Sequence, residues 1–141
     1  MKKGIIFDMD GTLWDSAAGV AESWNEAILA YGYKREPLTA GDIQSVMGKT
    51  MEDIADILFP GLNAAQRKEL LDLCCKLEND YLRKHGGALY PDIRKTMENL
   101  KENYHLYIVS NCQTGYIEAF LDYYKFHDLI EDIECYGNND K

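Results

Sequence analysis

Residues 5–16 read Ile5-Ile6-Phe7-Asp8-Met9-Asp10-Gly11-Thr12-Leu13-Trp14-Asp15-Ser16, an apolar strand that runs directly into two carboxylates and a glycine turn. The continuous run Ile5, Ile6, Phe7 suits a strand buried on both faces of a parallel sheet. Asp8 and Asp10 stand two residues apart, so extended backbone points both to one side. Gly11 then permits a sharp turn and a close approach of backbone N–H groups to an anion. This layout fits the carboxyl end of a strand in an open α/β sheet, where such folds bind their ligands.

Outward from this stretch the pattern changes to helix. Val20, Trp24, Ile28 and Tyr31 recur at three- and four-residue spacing, and Gly32 is a stop. Thr39 with Asp42 and Thr50 with Asp53 are capping-box starts, leading into Ile43-Val46-Met47 and Ile54-Ile57-Leu58, and Pro60-Gly61 closes the latter. Asn63 with Gln66 opens a longer helix through Leu70, Leu73, Cys74, Leu77 and Tyr81, ending by Gly86-Gly87. After Tyr90-Pro91 the strand and helix alternation resumes. Asp92 is expected to cap a helix carrying Ile93, Met97 and Leu100, Leu106 to Val109 is a strand with Ser110-Asn111 at its end, and Ile117, Phe120, Leu121 and Tyr124 mark a further helix. A short strand is expected at Ile133 to Tyr136. The order implies an α/β fold with a Rossmann-like parallel core and right-handed crossovers. Residues 1–15 and 87–141 form that core, and residues 16–86 form a helical domain inserted above its carboxyl edge, as a lid over Asp8.

The chain has 141 residues and a formal net charge of −9, which argues against a nucleic-acid backbone or an anionic membrane as partner. Any anionic substrate needs local compensation, most simply by a metal cation. No stretch approaches a membrane span, and Met1 to Gly4 lead straight into the first strand, so a cytoplasmic protein is expected. Cys74, Cys75, Cys112 and Cys135 lack Cys-x-x-Cys spacing, which suggests buried thiols, neither a zinc site nor a disulfide framework. His85, His105 and His127 lack ligand spacing as well.

Asp-x-Asp-Gly-Thr-Leu-x-Asp-Ser after an N-terminal apolar strand resembles the first motif of the haloacid dehalogenase-like hydrolases, in the phosphoglycolate phosphatase and β-phosphoglucomutase branch. The helical insert after that motif matches the family's cap in position and type. The resemblance implies a Mg²⁺-dependent phosphatase that hydrolyses a small phosphomonoester, a phosphorylated metabolite, through an aspartyl-phosphate. It makes Asp8 the nucleophile and Asp10 the general acid and base, with the metal held by Asp8, by the backbone carbonyl of Asp10 and by an acid from a later motif. Gly11 and Thr12 border the phosphate, Ser110 matches the second-motif hydroxyl with Asn111 following, and Lys49 of Gly48-Lys49-Thr50 corresponds to the cap's specificity loop. Lys141 stands at or just before the third-motif lysine. Tyr90-Pro91-Asp92 departs from the Pro-Gly that relatives often carry at the cap's return.

The largest departure is at the end, where relatives continue into a further metal-binding motif and the resemblance covers about two thirds of a complete member. Two expectations follow: the present chain has weak or no activity alone, and its first strand forms an exposed apolar edge open to self-association. A sugar phosphomutase, a pyrophosphatase and a non-catalytic or receiver-like module are the alternatives. Both acids and the large insert speak against the last.

Overall fold

The computed structural model describes residues 1–138. Its elements are β1 (Lys3–Phe7), β2 (Trp14–Asp15), α1 (Ala17–Tyr31), α2 (Ala40–Val46), α3 (Met51–Leu58), α4 (Ala64–His85), β3 (Ala88–Leu89), α5 (Ile93–Lys101), β4 (Tyr104–Ser110), α6 (Tyr116–Tyr124) and β5 (Asp132–Cys135). The architecture is α/β: β1, β4 and β5 form a parallel sheet in the order β1-β4-β5. Phe7 lies opposite Ile108 and Ser110 opposite Cys135, so the residues after β1 and the end of β4 emerge at the same edge.

The local signals explain the helices of the insert. Gly32 ends α1 in the left-handed conformation at φ 86°, its N–H donating to the Ile28 and Leu29 carbonyls. Thr39 and Asp42 form a complete capping box at the start of α2, and Asn63 and Gln66 do the same for α4. At α3 only half the device is present: Thr50 Oγ1 accepts the Asp53 N–H. The apolar stripes meet in one core, with Trp24 stacked on Phe59 and α1 packed along α4.

Three features differ from expectation. β1 is buried on one face only: Ile5 and Phe7 pack on the core, whereas Ile6 is 68% exposed, on the face shared with half-exposed Val109. The alternation arises because β1 is the edge strand and because the described helices cover one side of the sheet. Second, Asp92 does not cap α5 with its side chain; it adopts φ 62°, a left-handed backbone that costs a side-chain-bearing residue energy. Third, a two-residue pair was not foreseen. Trp14 pairs with Leu89 and Asp15 with Ala88, antiparallel, so the chain leaves for the helical insert and returns from it side by side. Gly87 makes this closeness possible, since a Cβ there would lie 2.9 Å from the Asp15 carbonyl.

The left-handed Asp92 yields a stability prediction. Asp92→Gly removes the Cβ penalty and is expected to stabilise the chain by about 0.5–1 kcal/mol in urea denaturation, while β-branched Asp92→Val is expected to destabilise it by at least about 1 kcal/mol.

Candidate active site

The loop after β1 is wound tightly around Met9. The N–H groups of Thr12 and Leu13 donate to the Met9 carbonyl at 3.0 and 2.8 Å, the Gly11 N–H donates to the Trp14 carbonyl at 3.0 Å, and the Met9 side chain is fully buried. The two acids at this strand end differ in exposure. Asp8 stays exposed, and Asp10 turns half-buried toward the insert. The Gly11 and Thr12 N–H groups are both committed to the turn. Gly11 at φ 78° serves the bend, and exposed Thr12 retains its side chain for a ligand.

Asp10 is held through a single oxygen. Its Oδ1 accepts the Trp14 Nε1–H at 3.1 Å, the Ser16 hydroxyl at 3.4 Å and the Tyr116 hydroxyl at 2.5 Å, and Tyr116 and Ser16 are themselves 2.7 Å apart. Burial raises the Asp10 pKa above its ordinary value; the Tyr116 and Trp14 hydrogen bonds oppose the rise and the negative charge of Asp8 adds to it. Tyr116 is itself pushed well up by burial, so it remains a donor. The anchor is rigid because Trp14 is fully buried edge-on against Phe120 and Tyr116, with centroids 5.0 and 5.6 Å away.

The other anticipated residues lie around the same edge. Ser110 is buried at the end of β4 and hydrogen-bonds Cys112. Asn111 is exposed, and its Nδ2 donates to the Gly48 carbonyl at 3.1 Å, so the loop that carries Lys49 touches the core at this point. Lys49 itself is exposed at the rim of a cleft that Asp10, Asn111, Trp24 and Met47 also line. Lys141 lies outside the described residues. The cleft encloses about 40 Å³, room for two or three waters. The insert is therefore drawn down on the core.

A second acid in this cleft was missed from sequence. Glu78 on α4 is 4% exposed, and its Oε2 accepts the Trp24 Nε1–H at 3.2 Å and the Gln113 Nε2–H at 2.7 Å. Burial pushes its pKa up to about 8, with the charge of Asp10 contributing. A sequence signal existed: Leu70, Cys74, Glu78 and Leu82 recur every four residues as the buried stripe of α4, and an acid in that register is anomalous. Gln113 also donates to Asn79 Oδ1, and Asn79 donates to the Thr114 carbonyl, so the loop after β4 grips α4.

As for metal binding, no group of three or more His, Cys, Asp or Glu side chains converges among the described residues. The Asp8 carboxylate and the loop carbonyls are hard oxygen donors, which suit Mg²⁺, an ion that commonly uses one or two carboxylates and keeps several waters. Among the described residues no helix is long and apolar enough to cross a membrane.

The chain matches the family model of haloacid dehalogenase-like hydrolases over residues 5–140. It is 29% identical over 137 residues to a phosphoglycolate phosphatase of Photorhabdus laumondii, covering 91% of this chain and 57% of that protein. A phosphoglycolate phosphatase of Psychrobacter arcticus is 24% identical over 140 residues, covering 94% and 60% respectively. Among solved structures, a Bacteroides fragilis protein assigned to the haloacid dehalogenase-like hydrolases superposes with a TM-score of 0.79 at 26% identity, over 99% of this chain and 65% of that one. The chain thus spans about 60% of the curated relatives it matches.

The raised pKa of Glu78 sets the sign of a pH effect. Its ordinary value is 4.5 and its folded value about 8, so the folded state binds more protons across that window and stability falls as pH rises through it. Glu78→Gln preserves the shape and an oxygen acceptor. It is expected to add on the order of a few kcal/mol near pH 8.5 and little near pH 5, read by urea denaturation at the two pH values.

Proposed function

The chain belongs to the haloacid dehalogenase-like hydrolase family, and on that premise we propose that it carries the reaction centre of a Mg²⁺-dependent phosphatase acting on a small phosphomonoester. The carrying observation is the contrast between the two strand-end acids: Asp8 is exposed, while Asp10 is partly buried with its pKa raised. Acids whose environments differ in this way suit different roles in one reaction. Asp8 attacks phosphorus and becomes an acyl phosphate as the ester oxygen departs. Asp10, its Oδ1 occupied by three donors, uses the remaining oxygen to protonate that leaving oxygen and then to take a proton from the attacking water.

Mg²⁺, held by Asp8 and the Asp10 carbonyl, would offset the repulsion between these acids and the phosphate dianion. The Ser110 hydroxyl and the Thr12 side chain are suited to the phosphoryl oxygens, and Asn111 to aligning the insert. Residues 16–86 act as the cap and residues 1–15 and 87–141 as the core, with the β2 and β3 pair as the double connection between them. The tight cleft supports a cap that must lift for entry and close for chemistry, excluding water. The relatives named for phosphoglycolate support a small, compact substrate. Since the chain spans about 60% of those relatives, the activity is assigned to the whole catalytic unit of which these residues are the reaction centre.

The test is turnover of p-nitrophenyl phosphate with Mg²⁺. Asp8→Asn is expected to lower kcat by three or more orders of magnitude, roughly as for other lost nucleophiles. Asp10→Asn is expected to lower it about 10²–10⁴-fold, the usual share of general acid and base catalysis. Turnover that persists in Asp8→Asn overturns the assignment.

A further inference from the structure

Glu78 belongs to no motif and takes part in no step described above, yet it is a buried acid inside the cleft that Asp10 borders. Its known partners, Trp24 and Gln113, are neutral donors, and both bind Oε2. Oε1 accepts no hydrogen bond from any described residue. It is not sealed in like Glu118 Oε1, the one side-chain oxygen of the described residues that is fully enclosed and unpartnered. A carboxyl group buried without a cation costs several kcal/mol relative to an apolar side chain in the same stripe. The position is therefore poorly explained by stability.

We propose that Glu78 is the residue that selects the leaving group, its Oε1 bonding a hydroxyl of the departing alcohol, so that the substrate class is a phosphomonoester of a neutral hydroxylated alcohol and not one whose leaving group ends in a carboxylate. The inference rests on the phosphatase reading and adds the substrate's other half. Two further observations point the same way. The deep lining of the cleft, with Val20, Trp24, Ile43, Val46 and Ile54, offers a carboxylate no cation, and the lysine among the lining residues, Lys49, stands exposed at the rim. A carboxylate there would also face Glu78, a like charge once pH rises through about 8, at the cost that enforces specificity elsewhere. A hydroxyl faces no such penalty, because it can donate to an ionised Glu78 or accept from a protonated one.

The titratable groups facing Glu78 are Asp10 from the loop after β1, Tyr116 from α6, Cys112 from the loop after β4, and Cys74 and Cys75 from α4 itself. Burial holds the tyrosine and the three thiols well above neutral pH, and Glu78 itself ionises only as pH rises through about 8.

The matched probes are 2-hydroxyethyl phosphate and 2-phosphoglycolate, which differ in a hydroxymethyl against a carboxylate. Binding is measured by calorimetry with Mg²⁺ in the Asp8→Asn background, where neither ester is consumed, with inorganic phosphate as reference. The hydroxyethyl ester is expected to bind about tenfold or more tightly at pH 9, with a smaller preference at pH 7, where Glu78 is largely protonated. Glu78→Gln, expected to fold at least as stably, should cut the preference at least about threefold and remove its pH dependence. A preference unchanged by Glu78→Gln, or a native preference for 2-phosphoglycolate, overturns the role of Glu78 and leaves the phosphatase reading standing. Failure of inorganic phosphate and both esters to bind overturns that reading itself, and this inference with it.

Discussion

The hydrogen bonds gathered on one oxygen of Asp10 tie together parts of the chain that are far apart in sequence. Trp14 begins the strand pair that leads into the insert, Ser16 precedes α1, and Tyr116 opens α6 a hundred residues later. Each donor is buried, so none could be left without an acceptor at small cost. The carboxylate thus works as a structural staple, and the proposed reaction draws on the same group. The same contacts that fix its direction moderate the rise in its pKa that burial causes. A site acid that only packed would be driven further toward neutrality.

What the sequence disclosed follows from which interactions are local. Thr39 with Asp42 and Asn63 with Gln66 complete their capping boxes within four residues, so composition and spacing suffice to find them. Gly32 is legible for the same reason. The strand end at Asp8 is legible through a string of residue types that has few other uses. What was not legible depends on long-range geometry. The Trp14 with Leu89 pair has too few residues for any period to appear. Tyr116 reads as one more aromatic in a helix until the fold brings it to Asp10. Glu78 was in principle visible as an acid in an apolar stripe, but the stripe itself is certain only once α1 and the core are seen to pack on α4. The burial expected for Ile6 failed because an apolar triplet has the same appearance in a central strand and in an edge strand with one face covered.

Asp92 shows a different kind of departure. A Pro-Gly return would place the left-handed backbone on glycine, and here an aspartate occupies it at φ 62°. Asp is among the residues that bear this conformation best, its short polar side chain being able to bond locally. The connection here thus places a residue with a side chain in the left-handed conformation. At Gly87, in contrast, the approach of the Asp15 carbonyl leaves no space for a Cβ and the residue type cannot change without parting the two connections.

The placement of function within this fold explains its weak point. Asp8 extends from β1, and among the described residues β1 is paired along one side only, with β4, while Ile6 is exposed. Ile6 stands beside Val109 on a sheet face that the described helices leave open, although parallel sheets are ordinarily covered on both faces. The Asp8 carboxylate therefore depends for its position on β4 and on the turn around Met9, whose carbonyl receives the Thr12 and Leu13 N–H groups. Asp10 is held by contacts on the well-packed side, toward Trp14 and α6, whereas the exposed Asp8 side chain accepts no hydrogen bond from the described residues. The acid proposed to meet the substrate lies at an exposed margin of the fold, and the acid proposed to keep a proton lies in a more enclosed place. That division follows from the winding of the loop around Met9, which leaves Asp8 exposed while Asp10 faces Trp14 and Tyr116.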